Sequence, residues 1–189
     1  MYRYRKYTEE QTFLAIAILV IGCLSFLMIF ARAMLLGIEY MIQSGSSPLF
    51  VPITDYFTGL NLAFNIPTRE GGYQYYVFMA SFSYLIPLIF GILVNLRIKK
   101  IPKHIINFIA ALFLIIVPII YLISLNQATK ELAKIIEIES LLIGKKYRNL
   151  EIKIETAAII HAALSVIAGF LSIYAGWLSY AIRKSGGRK

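Results

Sequence analysis

The chain has 189 residues, of which 59% are hydrophobic and only 15% charged. A water-soluble domain of this size carries about a quarter of its residues charged, so the composition argues against a soluble globular fold and for a single membrane domain over residues 1–189. The net charge of +9 would suit nucleic acid, but these basic residues flank apolar runs, where anionic lipid headgroups are the partner to expect, so nucleic acid is not expected.

Residues 1–11 are polar and basic, with Arg3, Arg5 and Lys6 interleaved with Tyr2, Tyr4 and Tyr7. Such a segment belongs at the headgroups beside a span. The first apolar run, Phe13–Ala31, is long enough to cross a bilayer. With its basic start and Ala31-Arg32-Ala33 it has the form of a secretory signal, but the run is longer than a signal core, so an uncleaved span is expected. Helical character is expected to continue past it, giving a first span over about 13–36 and a helix reaching toward Ile42. Arg32 is then a membrane-buried charge near the far surface, its side chain reaching for water. The single cysteine, Cys23, lies in this run, so no intrachain disulfide can form.

Residues 43–76 are too often interrupted to span, by Pro48, Pro52, Asp55, Gly59 and Pro67 among others. They are also too apolar for a disordered linker. A structured outer loop is expected over the mouth of the bundle, built from short strands or an interfacial segment, with a turn at Gly71-Gly72. Tyr73, Tyr75 and Tyr76 form an interfacial belt before the second span, 77–96, in which Pro87 predicts a kink. Arg97, Lys99, Lys100 and Lys103 make a tight basic link to the third span, 104–125, which contains Pro118. So short a link makes spans two and three antiparallel neighbours.

Charge enters from Asn126 while Leu132, Ile135, Ile136, Leu142 and Ile143 keep helical spacing. This predicts a protruding helical hairpin over 126–156, broken at Gly144. The alternation of Ile152 and Ile154 with charge leaves a short strand open, and an amphipathic surface helix is the other alternative. The fourth span, 157–182, carries Ala158, Ala162, Ser165, Gly169, Ser172, Gly176 and Ser179 in alternating steps of four and three. These seven residues make one stripe along a helix, the pattern that lets helices approach closely in lipid. The expected fold is therefore an all-α integral membrane bundle of four transmembrane helices.

Four spans put both termini on one side. That side holds 11 Lys/Arg and two acids, and the other holds eight of each. Both termini are therefore expected in the cytoplasm, in a plasma membrane.

Few residues could carry chemistry. His104, at the start of the third span, and His161, at the start of the fourth, are the candidates for a cofactor ligand. They lie at opposite ends of the hydrocarbon and cannot share one iron or zinc. Glu151 and Glu155 would share a helix face and read as a solvated pair. No metal motif is present, no catalytic residue is assigned, and the cofactor is unknown.

The layout resembles that of claudin-type four-span proteins: cytoplasmic ends, a large first outer loop, a tight basic inner link and a long third helix. The resemblance implies a four-helix bundle. It carries over no site residue, because no Trp or Cys lies between Gln43 and Tyr76, where that family has its signature.

The expectation is a small non-catalytic membrane subunit that scaffolds or anchors a larger complex, through helix packing and its outer loop, with other membrane subunits or itself as partners. The alternatives are a subunit of a quinone- or haem-linked oxidase, using one of the histidines, and a transporter or channel subunit.

Overall fold

The uncharged runs fold as helices. A computed structural model describes residues 2–44, 47–68, 73–96, 101–143 and 146–186. The helices are α1 (Tyr2–Leu27, extended by a 3₁₀ turn at Met28–Phe30), α2 (Gly59–Phe64), α3 (Phe78–Asn95), α4 (Lys103–Ile143) and α5 (Thr156–Gly186). Among the described residues four segments are long and apolar enough to cross a membrane: Thr8–Phe30, Phe78–Asn95, Lys103–Leu142 and Thr156–Lys184. The second, third and fourth expected spans are helical, with Pro87 and Pro118 inside α3 and α4, and the first is helical only as far as Phe30. The turns at Gly71-Gly72 and Gly144, the basic residues Arg97, Lys99 and Lys100, and the end of the basic tail, residues 187–189, lie outside the described residues.

Three expectations are corrected. The fold is not all-α, because β1 (Arg32–Ser44), β2 (Ser47–Thr58) and β3 (Tyr147–Ile154) form an antiparallel sheet in the order β2-β1-β3. The first helix does not continue toward residue 42. It stops before Ala31, so Arg32 opens a strand and is exposed, two residues beyond the apolar segment. The return limb between α4 and α5 is the strand β3 rather than a helix, which places Glu151 on β3 and Glu155 just beyond it, not on a shared helix face.

The chain divides into two compact units. Unit one comprises residues 1–28, 82–120 and 160–189; unit two comprises 29–81 and 121–159. The chain passes repeatedly between them, so neither is a contiguous domain.

In unit two, β1 is the central strand. Met34, Leu36 and Ile38 alternate into the core with Phe57 of β2. Pro48 and Pro52 are accommodated because β2 is an edge strand, where a missing N–H breaks no ladder. The β1–β3 register slips between Gly37 and Glu39, where β3 carries one residue more than β1. Asn149 takes up this bulge with φ 52°, a left-handed conformation that asparagine tolerates, and its amide donates to Glu39 Oε2 at 3.1 Å. Thr58 ends β2 and caps α2: its hydroxyl accepts from the Asn61 N–H, and the Asn61 side chain accepts from the Thr58 N–H.

In unit one the helices meet where side chains are small. A Cβ on Gly22 would lie 2.4 Å from the Pro87 carbonyl oxygen, and one on Gly91 would lie 3.2 Å from the Leu19 Cα. Asn95 donates from its amide to the Ala15 and Gly91 carbonyls, each at 2.8 Å. The pairings 15 with 95, 19 with 91 and 22 with 87 fix α1 and α3 as antiparallel. On α5, a Cβ at Gly169 would meet Ile115 at 2.6 Å and one at Gly176 would meet Phe108 at 3.1 Å, so α5 runs antiparallel to α4. Leu14, Ile18, Val94, Leu114, Ala168 and Leu178 fill the core between these contacts.

Gly22→Ala should therefore destabilise by about 1–3 kcal/mol, because a backbone carbonyl cannot move aside. Gly176→Ala, which meets only the side chains of Phe108 and Asn107 and gains about 1 kcal/mol of helix propensity, should be close to neutral. Thermal unfolding of the two variants in one detergent gives the order, and a Gly22→Ala protein as stable as wild type contradicts it.

Candidate functional site: a buried histidine and two clefts

Three helices bring hydroxyls to His161. Ser25 comes from α1, Ser83 from α3 and Ser165 from α5 itself, one turn after the histidine. All four residues have no exposure. The ring Nδ1 lies 3.0 Å from the Ser25 carbonyl oxygen, which can only accept, so Nδ1 carries the proton in this geometry. In the neutral ring Nε2 then accepts from the Ser83 hydroxyl at 2.8 Å. The Ser25 hydroxyl lies 2.9 Å from Nδ1, 3.2 Å from the His161 carbonyl that it donates to, and 2.8 Å from the Ser165 hydroxyl. The buried Tyr84 ring packs 4.1 Å from the imidazole, centroid to centroid.

A serine hydroxyl on Nε2, with Nδ1 oriented by a carbonyl, is the connectivity of a nucleophile and its base. Neither Ser83 nor His161 reaches a cleft or solvent, however, so no substrate carbonyl can approach the hydroxyl. What the arrangement does is join α1, α3 and α5 by hydrogen bonds in an apolar interior, where each group would otherwise stay unsatisfied.

The small-residue stripe is entirely buried: Ala158 in unit two and Ala162, Ser165, Gly169, Ser172, Gly176 and Ser179 in unit one. It is occupied within the chain. Gly169 and Gly176 face α4, Ser165 meets Ser25, and Ser179 accepts from the Gln11 amide of α1. Ser172 donates back to the Ala168 carbonyl at 2.9 Å. Asn107, which meets Gly176 from α4, is fully buried, and its amide has no hydrogen-bond partner among the described residues.

His104 is the second residue of α4 and packs edge-on against Tyr180 of α5. With Gln11, Lys103, Ser179 and Arg183 it lines a shallow cleft of about 490 Å³ in unit one. Among the described residues no group of three His, Cys, Asp or Glu side chains is placed to hold a metal ion.

Unit two holds a larger cleft, about 660 Å³, lined by Phe30, Arg32, Asp55, Tyr56, Leu60 and Pro67 among others. The Arg32 guanidinium lies over the Tyr56 ring, 3.8 Å from its centroid. Asp55 is buried beneath, accepting from the Tyr56 N–H at 2.9 Å and from the Thr68 hydroxyl. Elsewhere in this unit the Tyr75 hydroxyl donates to Glu131 Oε2 at 2.6 Å. Burial, then the bond to Glu131 and its charge, pushes the Tyr75 phenol up to about 12.

Arg32 and the two histidines were legible as unusual residues in or beside spans. Ser25, Ser83 and Asp55 were not singled out. A lone hydroxyl in an apolar run is a visible signal, but the sequence does not say which turn will face His161.

No protein-family model matches the chain, and no curated protein matches its sequence. The class that the fold defines is a mostly helical protein with four helices suited to cross a membrane and a small three-stranded sheet.

His161→Ala takes the partner from the buried Ser83 hydroxyl and from the Ser25 carbonyl and opens a cavity, so it should destabilise by about 2–4 kcal/mol. Ser83→Ala removes a single partner and should lose about 1 kcal/mol, near the usual worth of a hydrogen bond between membrane helices. Denaturant titration in mixed micelles measures both, and equal losses would show that His161 does not join the helices. For Tyr75 the raised phenol favours the folded state below about pH 10, and that contribution is lost as pH rises toward 12. The stability gap between wild type and Tyr75→Phe should therefore be constant up to pH 10 and shrink above it. A gap unchanged to pH 12 removes the link to Glu131.

Proposed function

We propose that this chain is a non-catalytic integral subunit that anchors or scaffolds a larger complex in the plasma membrane, with both termini in the cytoplasm. The orientation rests on charge: the terminus side carries 11 Lys/Arg against two acids, while the other side is balanced.

The observation that carries the docking role is on α4. Ile135, Ile138, Leu141 and Leu142 recur at helical spacing, and Leu141 and Leu142 are 79% and 80% exposed. Lys134, Glu137 and Glu139 are interspersed with them, so this stretch is unsuited to hydrocarbon. A large apolar face beyond the span, rimmed by charge, is the signature of a protein contact. The occupant we favour is another membrane subunit rather than a second copy, since the small-residue stripe suited to helix association is already filled within this chain.

The haem-linked alternative draws less support, because both ring nitrogens of His161 are engaged by serines and only His104 is left for it.

A photo-crosslinking residue at Leu141, introduced in the full chain in its native membrane, should give one discrete adduct with a different polypeptide. Leu142→Glu should abolish that adduct. Adducts with lipid alone, or with a second copy of this chain, would overturn the proposal.

A further inference from the structure

We propose that the Arg32 cleft in unit two is a lipid site that takes the phosphodiester of a phospholipid headgroup. The inference rests on the helices crossing a bilayer and is independent of any protein docked on α4.

The cleft offers donors and few open acceptors. Among the described residues the Arg32 side chain makes no hydrogen bond or ion pair, its partner being the face of Tyr56. Stacking on that ring orients the planar guanidinium and leaves its forked donors for an anion, a geometry that matches a phosphate bidentately. The acceptors nearby are engaged. Asp55 accepts from Thr68 and from the Tyr56 N–H, and the Asn61 oxygen accepts from the Thr58 N–H and hydroxyl. The Asn61 amide nitrogen is used too, donating to the Ile66 and Pro67 carbonyls. Asp55 keeps its charge but is buried with its oxygens occupied, so the exposed charge in the cleft is the Arg32 guanidinium.

The rest of its wall is apolar: Phe30, Leu60, Ile66 and Pro67. Phe30 and Ile66 are exposed. A ligand that fits carries an anionic head joined to hydrocarbon. Depth points the same way. The apolar segment Thr8–Phe30 has 23 residues and rises about 34 Å as a helix, close to the ~30 Å hydrocarbon thickness. Arg32, two residues on, falls at the level of the phosphates. A peptide carboxylate could use the guanidinium but would not use the apolar wall at that depth.

The test is native mass spectrometry of the full chain, purified in mild detergent and titrated with phosphatidylglycerol. Wild type should retain one lipid. Arg32→Ala should weaken retention at least about tenfold, and Arg32→Lys should fall between, since it keeps the charge but not the fork. Ile66→Trp, which fills the cleft without touching the cation, should also lose the lipid, so the proposal stays testable if Arg32→Ala folds poorly. A hundredfold excess of inorganic phosphate should not displace the lipid. Displacement would make a free anion the ligand, and undiminished retention in both Arg32→Ala and Ile66→Trp would overturn the site. A peptide found in the cleft in place of lipid would overturn it as well. If the chain failed to sediment with membranes, the bilayer reading itself would fail, a result separate from loss of the site.

Discussion

Lipid chains are as apolar as leucine, so helices that cross a bilayer gain little from hiding leucine from it. They are held by close contact and by polar groups that have no other partner. In unit one the first condition sets up the second. Gly22 brings α1 against the Pro87 carbonyl of α3, and one turn along each helix lie Ser25 and Ser83. Gly169 brings α5 against Ile115 of α4, and one and two turns back lie Ser165 and His161. Because α1 is antiparallel to both α3 and α5, these turns converge on one level, and the imidazole finds a hydroxyl at each nitrogen. Side chains at the glycines would separate the helices and break the hydrogen bonds one turn away. The same reasoning explains Asn95, whose amide reaches the Ala15 carbonyl because Gly91 lets α1 come near.

The histidine's role follows from its access rather than its partners. A serine bonded to an oriented imidazole could be a nucleophile in a cleft. In a close-packed interior the same bonds rigidify and specify one arrangement of three helices. Tyr84, tilted by 34° against the ring, packs beside it. The sequence signal for a functional intramembrane ionisable group and the one for a structural knot are identical, and only the surrounding packing separates them.

That limit shows elsewhere in what the sequence disclosed. Hydropathy located four helices long and apolar enough to cross a membrane, and the small residues spaced from Ala158 to Ser179 lie on a face that is buried throughout. Both are local properties of one helix. The sheet was harder because its evidence is non-local. Residues 32–38 continue the apolar run of α1, so their period-2 burial is masked by apolar residues on both faces, and only pairing with β2 and β3 selects the strand. In β2, Pro48 and Pro52 ruled out a span but are equally compatible with a loop or an edge strand. In β3, Ile152 and Ile154 did alternate with charge, yet the helical spacing upstream favoured a hairpin until the partner strand was known. The Arg32 cleft was out of reach for the same reason: Arg32, Tyr56 and Asn61 come from β1, β2 and α2, and their meeting depends on the β1–β2 register.

Helix α4 presses the docking argument furthest. Its 41 residues rise about 60 Å, twice the hydrocarbon thickness, so half of it lies beyond any span it makes. One face of that half is buried: Tyr121, Leu125, Ala128, Leu132 and Ile136 recur there at steps of four and three. A helix stabilised by that face alone would be expected to carry polar residues on the rest of its surface. Instead Ile135, Ile138, Leu141 and Leu142 lie open among charges. Isolated surface leucines need no explanation, but four in helical register define a second apolar face. An amphipathic helix lying flat on a membrane is the other way to hide such a face, but here the stretch belongs to the same 41-residue helix as the third apolar segment. In the proposed function a protein surface is that cover, and the interspersed Lys134, Glu137 and Glu139 would supply the polar rim that such contacts have.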